Sequence, residues 1–156
     1  MENKLPYPSQ KAREYAFLLL KFRMRSEKEL TERLQRKKFS DAVIGETLTF
    51  LKEKKFIDDS DFARAWVADR LKKPFGMRRI RQELKSKGIA DSIIACRIDE
   101  VKKDYCEQEL VERIARERFP KIKGVEPQKA KSRLYAYLLR RGFSPDVIMN
   151  VVNSCL

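Results

Sequence analysis

Histidine is absent from the 156-residue chain. Its absence excludes Ser–His and Cys–His nucleophile activation, His-ligated metal sites and the commonest general base near neutral pH. Cysteine is scarce: Cys96, Cys106 and Cys155 are the three present, with no C-x-x-C spacing. A disulfide framework is therefore not expected, and the odd count suits a reducing compartment. Cys96 and Cys155 fall within apolar helical patterns, so both are predicted to be small buried hydrophobes. The five glycines never fall in G-x-x-x-x-G-K or G-x-G-x-x-G order, which leaves no phosphate cradle of the usual kind. No apolar run approaches the ~20 residues that cross a bilayer, and Met1–Gln10 carries no apolar signal core. The expectation is a cytoplasmic, non-membrane protein for which no catalytic residue, metal or cofactor can be named: an enzyme is not excluded by composition, but its ordinary parts are missing.

Positive charge is what the chain has in excess. Against 23 acidic residues stand 36 basic ones, a net charge of +13 with a pI of about 9.8. That balance suits a nucleic acid, an acidic protein face or an anionic membrane, and charge alone does not choose among them. The excess is spread along the chain, +6 over residues 11–55, +4 over 56–103 and +3 over 104–156, with zero over residues 1–10.

Residues 1–10 hold Pro6 and Pro8 and no periodicity, which predicts a flexible arm. A helix follows from Lys11 to about Met24, with Tyr15, Leu18, Leu19 and Phe22 on its apolar side. Ser26-Glu27-Lys28-Glu29 spells a capping box for a helix bearing Leu30 and Leu34. Phe39-Ser40-Asp41 starts another, with Val43, Ile44, Leu48 and Leu51. The same grammar then returns twice. Phe39-Ser40-Asp41-Ala42-Val43-Ile44 lines up with Ile89-Ala90-Asp91-Ser92-Ile93-Ile94 and with Phe143-Ser144-Pro145-Asp146-Val147-Ile148. Ser40 and Ser144 are expected N-caps, with Phe39 and Phe143 stapled onto Ile44 and Ile148. Upstream, Leu30/Leu34, Ile80/Leu84 and Leu134/Leu138 take equivalent places. Gly88 and Gly142 are equivalent glycines just past a helix end, and Lys38 departs from that rule. A preceding helix (Lys11–Met24, Ser60–Lys72, Tyr105–Phe119) completes each copy, and Pro120–Pro127 reads as an exposed loop. The prediction is all-α: three tandem three-helix, helix-turn-helix-like repeats over 11–55, 56–103 and 104–156, forming an elongated curved array, as a monomer.

Basic clusters recur on the second helix of each copy: Arg33, Arg36, Lys37 and Lys38; then Arg78, Arg79, Arg81, Lys85 and Lys87; then Arg133, Arg140 and Arg141. Stacked repeats would join these into one positive track for phosphates or an acidic surface, while the plainer reading is a set of solvated helix faces. Trp66, beside Phe62 on an apolar face, is expected in the core. Asp58, Asp59 and Asp61 precede a helix and are expected to cap it rather than hold a metal. Phe75, in the Pro74-Phe75-Gly76 break, fits either an exposed contact or a residue tucked onto the core.

From Phe56 to Ile89 the chain resembles the signature of RecX proteins, bacterial regulators of the RecA recombinase. The matching pieces are Phe56-Ile57-Asp58-Asp59, Phe62-Ala63, Trp66-Val67, Arg70, Gly76, Arg79-Ile80-Arg81-Gln82-Glu83-Leu84 and Lys87-Gly88-Ile89. Ser26-Glu27-Lys28-Glu29-Leu30 and Leu138-Leu139-Arg140-Arg141-Gly142-Phe143 extend it over about residues 11–156. The resemblance implies a cytoplasmic regulator that binds RecA, lodges along the groove of the RecA–DNA filament and mainly inhibits it. The activities it implies are suppressed include ATP hydrolysis, strand exchange and coprotease function in the SOS response and DNA repair. On that reading Arg78, Arg79, Arg81, Lys85 and Lys87 form the central contact set, Arg70, Lys72 and Lys73 flank it, and Arg133, Arg140 and Arg141 extend it. The alternative is an autonomous DNA-binding protein that uses the basic repeats directly.

Overall fold

The helix starts follow from capping. The Ser26 hydroxyl accepts the Glu29 amide at 3.2 Å and the Glu29 carboxylate accepts the Ser26 amide at 3.3 Å, the complete capping box that opens α2 (Glu27–Arg36). Ser40 accepts the Val43 amide and opens α3 (Asp41–Glu53). The Asp58 carboxylate accepts the amides of Ser60 and Asp61 and opens α4 (Asp59–Leu71). In the third copy the Ser144 hydroxyl instead donates to the Glu107 carboxylate at 2.6 Å.

The computed structural model describes residues 7–122 and 124–154, and its regular structure there is entirely helical. α1 (Tyr7–Phe22) joins α2 and α3; α4 joins α5 (Met77–Ser86) and α6 (Asp91–Lys102); α7 (Glu107–Arg118) joins α8 (Pro127–Arg140) and α9 (Pro145–Ser154). Each trio closes on its own core. Ala16, Leu30, Leu34, Ile44 and Leu51 fill the first; Val67, Ile80, Leu84, Ile94 and Ile98 the second; Val111, Leu134, Leu138, Phe143 and Ile148 the third. The pairs Leu30/Leu34, Ile80/Leu84 and Leu134/Leu138 are all fully buried, because side chains four apart stack on one face of a helix. Extensive helix–helix packing is confined to the trios.

Several details differ from the sequence expectation. α1 begins at Tyr7, so Tyr7–Gln10 are helical rather than part of an arm; residues 1–6 lie outside the described residues. The buried stripe of α1 is Ala12, Ala16 and Leu19, and Leu18 and Phe22 are 52% and 77% exposed. Two alanines let α1 approach its neighbours closely, which turns the bulkier stripe outward. Cys96 is exposed, since it lies two residues from both Ile94 and Ile98 and points away from the face they bury; Cys155 lies outside the described residues. Ile57 packs in the first core and Phe56 meets Phe17 edge-on at 4.8 Å, so the first core ends after Ile57 rather than before Phe56. Within the expected loop at Pro120–Pro127, a 3-10 turn (Phe119–Ile122) lays Phe119 and Ile122 on the third core.

The trios are joined end to end through their second helices. At one joint the Ser26 hydroxyl, at the start of α2, donates to the Lys87 carbonyl at the end of α5 at 2.7 Å, and Lys28 donates to the Ser86 carbonyl. At the other, the Gly76 and Arg78 amides at the start of α5 donate to the Arg141 and Gly142 carbonyls past α8, at 2.8 and 3.2 Å. At both joints donors at the start of one helix meet free C=O groups at the end of the next, positive end to negative end; the donors are side chains at the first joint and backbone N–H groups at the second. Gly88 and Gly142 sit at φ +79° and +85°. A Cβ on Gly88 would lie 2.6 Å from Lys28, and one on Gly142 would overlap the backbone of Arg79. Asp59 braces the first joint by accepting the Glu27 amide at 2.9 Å.

Candidate functional site

One stripe recurs on the three stacked helices. At spacing i, i+4, i+7/i+8 it reads Glu29, Arg33, Arg36/Lys37 on α2, Arg79, Glu83, Ser86/Lys87 on α5, and Arg133, Tyr137, Arg140/Arg141 on α8. Positions at that spacing share one helix face. Side-chain contacts carry the stripe across both joints. Lys87 of the second trio pairs with Glu29 of the first. Phe75 of the second trio lies between Arg79, at 4.2 Å from its ring centre, and Arg141 of the third at 5.2 Å.

Glu83 anchors the middle of this ridge. It accepts from Arg70 Nε at 2.6 Å, from Arg79 Nε at 2.9 Å and from Trp66 Nε1 at 3.0 Å. Partial burial pushes its pKa up, but those three donors outweigh burial and hold the carboxyl below its usual range. Arg70 also stacks over Trp66 at 4.4 Å, and Lys87 covers the same ring at 5.0 Å. In the third trio Tyr137 takes the place of Glu83, with Arg118 over its ring at 3.7 Å and Arg141 at 5.1 Å. In the first, Lys37 lies over Tyr15 at 5.3 Å. Glu29 is likewise half-buried. Burial raises its pKa, and hydrogen bonds from Arg23 and Lys87 more than reverse this, to about 2.

The expected contact residues divide accordingly. Arg70, Arg79, Lys87, Arg133 and Arg141 lie on the shared ridge, and Arg140 borders it. Arg78, Arg79 and Arg140 line one open groove of about 620 Å³ at the second joint, with Gln82, Glu83 and Leu139. Arg81 and Lys85 lie on the opposite flank of α5, where Lys85 pairs with Asp91 at the start of α6 at 3.0 Å. The single track expected from the sequence is therefore split by α5 into a ridge that spans all three trios and a flank confined to the second. Lys72 and Lys73 are exposed beyond α4, Lys73 paired with Asp69. Trp66 is half-buried, stacked on Phe62 at 5.7 Å yet turned toward the cations. Phe75 is half-buried too, and it packs on the second core.

Arg118 and Arg23 were not singled out by the sequence, which gave Glu29 only as a cap and Glu83 only as part of the family string. Aligning the repeats would have found Arg118, which falls where the second copy has Arg70. The ridge offers fixed guanidinium and ammonium groups with interleaved aromatics, a surface for polyanions or acidic protein faces. No helix among the described residues is long and apolar enough to cross a membrane.

Profiles of the first, second and third three-helix domains of RecX match residues 12–51, 58–96 and 106–152. The chain belongs to the RecX family. A regulatory protein RecX from Chlorobium phaeobacteroides is 40% identical over 92% of each chain. One from Vibrio campbellii is 34% identical over 95% of this chain and 94% of that one. Among solved structures, RecX from Lactobacillus salivarius superposes with a TM-score of 0.79 at 21% identity, covering 96% of this chain and 97% of that one. The tandem three-helix fold is thus the RecX fold, and the family is one of regulatory proteins.

Proposed function

We propose that this RecX-family chain binds RecA and the RecA–DNA filament and mainly inhibits RecA ATPase, strand exchange and coprotease activity during DNA repair and the SOS response. The observation that carries the reading is the ridge itself: a basic stripe at the same helical positions in three stacked units, continuous across both joints. A polymer with repeating acidic or phosphate surface gives such a ridge matching partners along its length, and the mechanism is occupancy rather than chemistry. Bridging neighbouring protomers would block DNA pairing, subunit addition or the movement that accompanies ATP turnover.

The test is a titration of the protein into RecA turning over ATP on single-stranded DNA. Inhibition saturating at substoichiometric or equal ratios to RecA is the expected result; an unchanged rate at saturating protein overturns the reading. Arg133→Glu with Arg140→Glu, both exposed, should shift the inhibition midpoint about tenfold, whereas Arg81→Glu with Lys85→Glu should shift it less. Melting temperature should barely move in the Arg133/Arg140 variant, since exposed substitutions cost within about 0.5 kcal/mol, and should fall more in the other, where Arg81 is half-buried and Lys85 loses its pair with Asp91. Binding to bare DNA with a steep salt slope and no effect on RecA would favour the autonomous DNA-binding alternative instead.

A further inference from the structure

α1 turns an apolar stripe to solvent where the sequence expected it inward. Tyr15, Leu18 and Phe22 follow one another at i, i+3 and i+7; Tyr15 is half-buried against the first core, and Leu18 and Phe22 are 52% and 77% exposed. The stripe opens onto the basic ridge: Lys37 lies over Tyr15, and Phe22 leads directly into Arg23 and Arg25, which share a cleft with Arg33 and Arg36. Two acids line that cleft as well, and both are engaged, Glu29 by Arg23 and Lys87 and Glu32 by Lys28 at 3.9 Å. Among the described residues Arg25, Arg33, Arg36 and Lys37 have no carboxylate partner. Arg25 is crowded, its pKa pushed down by burial and by Arg23, so a carboxylate arriving there would relieve repulsion.

We propose that this end of the ridge is a docking surface for protein: an acidic helix or loop that places a large apolar side chain against Leu18 and Phe22 and its carboxylates against Arg25, Arg33, Arg36 and Lys37. Apolar anchors inside a charged rim are the composition of a protein–protein hot spot. A phosphate backbone leaves Leu18 unused, and base stacking uses only the aromatic ring. The inference rests on the proposed function and deepens it by dividing the labour, with the first trio gripping the protein component of the filament and the cation–aromatic ladder of the second and third left for the remaining surface.

Leu18→Ser and Phe22→Ser, singly and together, test it by equilibrium binding to the RecA–single-stranded-DNA filament and, separately, to the same DNA without RecA. The double variant should bind the filament at least tenfold more weakly and bare DNA within twofold of wild type. Leu18→Ser alone should already show a severalfold loss. Unchanged filament binding overturns the surface while leaving the RecA reading intact, and a wild-type protein that does not bind the filament overturns both. An equal loss on bare DNA would make the stripe a base-stacking surface. A wild-type dimer that the double variant converts to monomer in sedimentation would make it a contact between two copies. Either result also overturns the proposal.

Discussion

A lysine stands where two glycines would be its equivalents. Lys38 follows α2 as Gly88 follows α5 and Gly142 follows α8, and all three adopt the left-handed conformation, Lys38 at φ +64°. The difference is what comes next. Gly88 and Gly142 each receive the start of another helix at a distance that a Cβ would forbid, whereas among the described residues no helix start is docked on Lys38. Gly142→Ala combines left-handed strain of about 1–2 kcal/mol with displacement of Arg79. It should lower stability by at least that amount and loosen the second joint. Lys38→Gly relieves comparable strain while adding freedom to the unfolded chain, for a net change within about 1 kcal/mol. Denaturant midpoints of the two variants check the contrast. The sequence showed the departure at Lys38 but not its reason, because nothing in a linear order says which helix end is covered.

The second helices are the elements that matter. Their apolar stripes were legible, since buried pairs recur at i, i+4 against a polar background. The capping box at Ser26 was legible too, as a four-residue pattern. The basic stripe was only half legible: spacing showed that Arg78, Arg81 and Lys85 share a side of α5 but not that α6 borders that side and α4 the other. Glu29 read only as a cap and Glu83 only as part of the family string, although both organise the ridge. Glu29 gives the first joint a pH dependence. Its carboxyl is held at about 2 in the folded protein against roughly 4.3 in an unfolded chain. Its contribution is therefore full above about pH 4.3 and lost as pH falls toward 2. The stability gap between wild type and Glu29→Gln should shrink across that window and stay flat from pH 5 to 8. A gap constant down to pH 2 would mean that the Arg23 and Lys87 contacts do not operate in solution.

As a whole molecule the chain is three cores on one thread. Repeat count and helical class could be read directly, because each copy carries its own apolar pairs and turn signals. The joints could not: their acceptors are backbone carbonyls, with only a glycine as trace, and the donors are side chains at the first and backbone amides at the second. Separate cores with thin joints predict that unfolding is not a single concerted event. Trp66 is the only tryptophan and lies in the second trio, so its fluorescence reports that trio alone while far-ultraviolet dichroism reports all nine described helices. The two denaturation curves should fail to superimpose. Coincident curves would mean that the joints couple the trios into one cooperative body.

The second joint, made of peptide groups, is indifferent to the side chains on either side of it, and the first asks only for Ser26, Lys28 and Asp59. A vertebra added by gene duplication would need little beyond a glycine at the receiving end and a capped helix at the entering one. Lys38 stands where that glycine would be, and among the described residues no further segment is seated on it.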